Sequence, residues 1–226
     1  MRLIKKTNAP SSFQQYIVQP NATFEDMDAH VKEDLRLSLF KEQYGVCAYC
    51  QRKLPTKNGV PIPFKVKIEH HCEQSICNGK NGFSNLTLVY KNLFLVCLGV
   101  GPNSTDFHCD THKATLSITK GLPMQFIPTK KSHIDTIKYS KGGNLTSNDF
   151  FNTEINNILK LNIDYLKERR RKSRAKILSL SKDSSTRGYN KTKMKRILEE
   201  ILAKKNGCFI NHFPGLYEYM LKKFCS

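Results

Sequence analysis

Two stretches constrain this chain more than any others: Cys47-Ala-Tyr-Cys50 and, further on, Lys67-Ile-Glu-His-His-Cys-Glu-Gln-Ser75. Two thiols two residues apart share one tight turn and can bind a tetrahedral Zn²⁺ without strain. The second stretch sets a carboxylate, two imidazoles, a thiol and another carboxylate at consecutive positions, 69–73. A core strand does not tolerate that density of polar groups, and a solvent loop has no need of it.

Cys97 and Cys109 are the favoured partners of Cys47 and Cys50, a four-thiolate structural zinc site. The loop between them contains glycine and can close on itself. Cys72 and Cys77 compete for the same role, and Cys97, inside LFLVCLGV, also reads as a small buried hydrophobe. Such an ion would join the start of a module to its end and supply much of its folding energy. The start, MRLIKKTNAP, has no apolar run behind it, and the longest apolar stretch, NLFLVCLGVG, is too short for a bilayer. The expectation is a soluble, cytoplasmic, bacterial protein that contacts no membrane. Its eight cysteines then point to metal or reduced thiols rather than disulfides.

The pattern predicts an extended lead-in over 10–22 and a capping box from Thr23 to Asp26. A mostly helical segment follows over 24–44, ended by Gly45. PTKNGVPIP reads as a loop, FKVKIE as a strand, and NLTLVYKNLFLVC as strand or short helix. HCDTHKATLS opens a helix, with Asp110 a candidate cap for a start at Thr111. KGGN, 141–144, is a turn. Ile155, Ile158, Leu159, Asn162 and Leu166 share a helical face, as do Ile177 and Leu180. Residues 181–192 read as a polar linker, Met194 to Leu202 as an amphipathic helix, and the end as a Pro-Gly break before a short helix.

Charge is uneven. Residues 1–113 hold 14 basic and 10 acidic side chains, residues 114–226 hold 23 and 9, and the whole carries +18. A field of that sign attracts polyanions, and nucleic acid is the expected partner. The clusters ERRRKSRAK and KTKMKR stand out, with Arg169, Arg170, Arg171, Lys172 and Arg174 as candidate phosphate contacts.

The order Cys-x2-Cys, Glu69-His70, Asn92, Cys97, Cys109-Asp110-x2-Lys113 resembles the His-Asn-His (HNH) endonucleases. GVCAYCQRKL, IEHHCEQS, YKNLFLVCLGV and HCDTHKA together resemble the PtuB-like HNH subunits of Septu-type and retron-associated antiphage systems. The resemblance implies an α+β fold. Residues 43–116 would form a ββα-metal (HNH) nuclease module with a zinc knuckle. It would be flanked by an N-terminal lead-in and helix, 1–42, and a mainly helical basic region, 117–226, for substrate or partner.

It further implies that His70 is the general base, with His71 as the alternative, and that Asn92 holds the backbone near the base. Glu69 and Asp110 would ligate Mg²⁺ or another divalent cation, with His112 a rival to Asp110, and Lys113 would contact nucleic acid. A PtuA-like ABC-type ATPase, and in some systems a retron DNA–RNA hybrid, would be partners. DNA and RNA both stay open as substrates. The competing reading is a catalytically silent, zinc-stabilised nucleic-acid-binding or scaffold module. His30, His133 and His212 read as packing or surface residues.

Overall fold

Leu93-Phe-Leu-Val-Cys97 is apolar at every position, and the chain buries all five side chains in one strand, β4. In this computed structural model, described for residues 1–80, 82–103, 105–116, 123–183 and 188–225, the architecture is mixed α+β. Short antiparallel strand pairs lie among helices. β4 pairs with β3, Val66–His70, in a register that sets Val66 opposite Cys97 and His70 opposite Leu93. Phe64 and Lys65, expected in this strand, instead form a 3-10 turn opened by Pro63, whose ring fixes φ. The ambiguous run before β4 resolves into a 3-10 turn, Tyr90–Asn92, and then the strand. A short helix, α3 (Cys109–Thr115), packs on β4.

The lead-in over 10–22 is not extended. Ser11–Ile17 form helix α1, because Phe13 and Tyr16, three apart, bury one face and a preceding Pro does not disturb a helix start. Thr23 does accept from the Asp26 amide, at 3.1 Å, but closes only a turn. The helix α2 begins later, at Ala29, and runs to Glu42. It ends in a Schellman pattern, with Tyr44 at φ 53° and the Gly45 amide donating to Phe40 O at 2.9 Å. PTKNGVPIP is a hairpin, β1 (Thr56–Lys57) and β2 (Val60–Pro61). Asn58 and Gly59 take the positive φ angles, 52° and 81°, that a two-residue turn requires.

The C-terminal half is mainly helical, as its pattern predicts. α4 (Lys131–Asp135) leads to a hairpin of β5 (Lys138–Tyr139) and β6 (Leu145–Thr146) around the KGGN turn. α5 (Asp149–Thr153) widens into a π-helical turn, Glu154–Ile158, and the chain breaks before α6 (Asp164–Leu180). The expected continuous face is therefore split. Ile155, Leu159 and Leu166 are buried, but Asn162 sits in the break, bonding Leu145 N and O at 2.8 and 2.7 Å. Leu180 faces solvent.

Of the 181–192 linker, 184–187 lie outside the described residues, and Lys191 already opens α7 (Lys191–Leu202). A hairpin of β7 (Lys204–Lys205) and β8 (Cys208–Phe209) precedes α8, Pro214–Cys225. One apolar core joins Phe13, Leu35, Leu93, Ile155, Leu198 and Met220, so all three sequence segments share it. Among the described residues no helix is long and apolar enough to cross a membrane.

Gly99, between β4 and α3, has φ 66°, and a Cβ there would lie 2.0 Å from His108 O. Replacing Gly99 by Ala is expected to cost at least about 2 kcal/mol, combining left-handed strain with the clash. Urea denaturation checks this; a change below about 0.5 kcal/mol would show that the turn yields freely.

Candidate metal centre and the acidic pair beside it

Cys47 and Cys50 lie on a tight knuckle closed by Cys47 N to Arg52 O at 2.9 Å and by the pairing of Val46 with Lys53. Cys97 ends β4 and Cys109 starts α3, so strand, helix and knuckle converge on one point. The four buried sulfurs all lie within 4.8 Å of one another. Cys47 and Cys109 are 3.9 Å apart, Cys50 and Cys97 3.7 Å. A tetrahedron of Zn–S bonds has sulfur–sulfur edges of about 3.8 Å, so the group can hold a metal ion such as zinc. Cys109 accepts a left-handed φ of 56° to deliver its sulfur.

Hydrogen bonds from Cys109, Cys47 and Cys50, with help from Arg52, hold the Cys97 thiol well below the usual thiol range. Burial raises Cys50, but Cys109 and Cys47 outweigh it and hold Cys50 below that range as well. Arg52 was not singled out in the sequence, although it follows the knuckle directly. Its Nη2 donates to Cys97 Sγ at 3.4 Å, and its Nη1 to Tyr165 OH at 3.1 Å. His108, fully buried, lies 3.1 Å from Cys109 Sγ through Nδ1. A zinc ion held by four thiolates would carry excess negative charge, part of which Arg52 would compensate.

Cys72 and Cys77 are not metal ligands. They form a disulfide in a separate small cluster with Ile76, which also corrects the expectation of reduced thiols throughout. A pair five positions apart on one loop meets itself before it can reach the knuckle.

Along β3, alternation turns Lys67 and Glu69 toward α3. Lys113 Nζ donates to Glu69 Oε1 at 2.6 Å and to the carbonyls of His70 and His71 at 3.0 and 3.1 Å, and it lies 3.7 Å from Glu73. Lys67 Nζ donates to Asp110 Oδ2 at 3.2 Å and to Thr111 at 3.0 Å. Glu69 and Asp110 lie close enough to shift each other's protonation. Burial pushes the Glu69 carboxyl well up against the pull of Lys113. Burial also raises Asp110, but Glu69 and Lys67 outweigh it and hold Asp110 down. Glu69 is therefore the more readily protonated of the two. Asp110 lies in the first turn of α3 rather than capping it; His108 occupies the cap position.

His70 turns the other way. Its Nε2 donates to Thr87 O at 2.9 Å, and its ring meets Phe24 edge-on at 4.4 Å. A carbonyl only accepts, so the proton sits on Nε2 and Nδ1 is the basic nitrogen. Burial lowers the His70 pKa, so the ring is neutral near pH 7. His71 returns to the Glu69 side, sharing the Tyr49 hydroxyl with it at 3.5 and 3.3 Å. Burial drives the His71 pKa down to about 3.

Asn92 accepts from Cys72 N at 2.8 Å and donates to Cys72 O and Leu86 O at 3.0 and 3.1 Å. It thereby fixes the loop that leaves His70 and His71. His112 is drawn away by Ile158 O at 2.9 Å from its Nδ1. Among the described residues the four cysteines are the only group of three or more such ligands close enough to hold a metal.

Three expected nucleic-acid contacts are corrected. Lys113 is buried on Glu69. Arg170 is 1% exposed, tying Gly143 O and Leu161 O, because the break before α6 leaves carbonyls that need a buried donor. Arg174 is buried over the Phe224 ring. Arg169 stacks on Tyr165, and Arg171 and Lys172 pair with Glu168 while staying open to solvent. His133 packs on Phe126 and Phe151, and His212 accepts from Lys53 N.

Neither a scan against protein-family models nor a search of curated proteins found a match to this chain.

Cys47→Ser is expected to abolish tight zinc binding and cost several kcal/mol, whereas His70→Ala costs only about 1–2 kcal/mol. Thermal melts and metal analysis of the purified variants check this. Equal melting temperatures for the two would contradict a metal-held module.

Proposed function

We propose that this chain is a metal-dependent endonuclease of the HNH type, its strand pair and α3 forming a ββα-metal core that hydrolyses phosphodiester bonds. One observation carries the reading. The module tied by four thiols sets Glu69 beside Asp110, and on the same strand end holds a neutral His70 whose following loop Asn92 pins.

In-line attack on a phosphodiester needs a base for the water and positive charge for the departing oxygen. His70 Nδ1 is the base. Asn92 and Thr87 O orient its ring through the loop backbone. Glu69 and Asp110 are hard oxygen donors in the number that Mg²⁺ takes when phosphate and water complete its shell. A divalent cation held there would neutralise charge on the phosphate and the departing oxygen. Lys67, 40% exposed, stands at the solvent edge of the pair and can meet a phosphate oxygen. The ATPase partner and the antiphage setting belong to the same proposal and rest on the resemblance alone.

A second reading, a silent nucleic-acid-binding module, draws on Lys113, whose ammonium already sits against Glu69. Degradation of plasmid and RNA in Mg²⁺ separates the two. The nuclease reading expects His70→Ala and Asp110→Ala to slow cutting at least about a hundredfold. His70 must be neutral, and Glu69 must be deprotonated for a cation to bind there. The rate should therefore rise with pH through the acid range and level off once both groups are deprotonated. No cutting by the parent chain with any divalent cation would leave only the silent module, whereas undiminished cutting by both variants would remove His70 and Asp110 from the active site.

A further inference from the structure

A cavity of about 580 Å³ opens beside the loop that follows His70. It lies within the size range of small-ligand sites. One part of its lining is the disulfide Cys72–Cys77 with Phe83 and Leu86; another is Met124, Gln125, Ile127 and Lys130. His71 and Asn92 line it as well. His71 is 7% exposed, and its Nε2 is buried with no hydrogen-bond partner among the described residues.

Lys91 and Lys130 are exposed, and neither is ion-paired among the described residues. Among the described residues no carboxylate lines the cavity. The mechanism proposed above uses none of its apolar lining.

The lining selects for a ligand with a flat apolar body, hydrogen-bonding edges and a negative charge. We propose that the cavity receives one unpaired nucleotide of the substrate strand. Its base would enter against Phe83 and Ile127, with an edge toward Gln125 and its phosphate near Lys91 and Lys130. The proposal rests on the nuclease reading, because the cavity lies beside the loop that follows His70, the base in that reading. A nucleotide in a duplex cannot enter without leaving its pair, so the favoured substrate is single-stranded, bulged or mismatched nucleic acid. Stacking accepts any base, which makes the choice one of pairing state rather than sequence.

The test uses the full chain in buffer without Mg²⁺, with oligonucleotides carrying 2-aminopurine either in a single-base bulge or fully paired. Fluorescence titration should show the bulged duplex binding at least about tenfold more tightly than the paired one. Phe83→Ala should remove that preference, as should Lys130→Glu and Gln125→Ala, which change exposed side chains and spare the core. Equal affinity for both duplexes would overturn the proposal, and so would a preference that survives all three variants. So would binding of free 2-aminopurine riboside monophosphate as tightly as the strand, which would make the cavity a site for a soluble nucleotide. A retained, variant-sensitive preference with no cutting in Mg²⁺ would support the cavity and sink the nuclease reading instead.

Discussion

Four sulfurs converging on one point hold this structure in register. Cys47 and Cys50 come from a turn, Cys97 from the end of β4 and Cys109 from the start of α3. Without a common ligand, nothing in the local backbone preference brings these ends together. Cys109 adopts a conformation disfavoured for any residue with a Cβ. The position of Asp110 follows directly, because it is the next residue along α3. Through the β3–β4 ladder, the anchoring of Cys97 and Cys109 also bears on where Glu69 meets Asp110.

Around that clamp the polar groups form linked layers. Arg52 touches a thiolate and reaches α6 through Tyr165, tying the basic C-terminal half to the knuckle. Lys113 binds Glu69 together with two carbonyls of the segment carrying the histidines. A carboxylate this deeply buried is tolerated because the ammonium meets it, and losing either partner would leave an uncompensated charge. The N-terminal segment contributes Phe24 against the His70 ring.

Much of this was legible in the sequence. The grouping of the four cysteines and the helix around Cys109 follow from spacing and periodicity, whereas the run ending at Cys97 stayed open between strand and short helix. Other features were not. Ser11–Ile17 were obscured by Pro and Ser, which serve equally as breakers and as helix starters. The hairpin at Asn58-Gly59 was misread as loop because its strands are only two residues long.

The basic cluster in α6 shows the deeper limit. Consecutive Arg residues wrap around a helix, and the sequence does not say which of them faces inward. Arg170 does, since the broken segment before α6 presents carbonyls to it. Tyr49, Arg52 and His108 were missed for the same reason: each acts through a tertiary neighbour distant in the chain.

The most direct measurement is X-ray absorption at the zinc edge of the purified protein. The account predicts one zinc per chain with four sulfur neighbours at about 2.3 Å and no nitrogen or oxygen in the first shell. Zinc bound through histidine or carboxylate, or a folded chain that carries no metal, would contradict it.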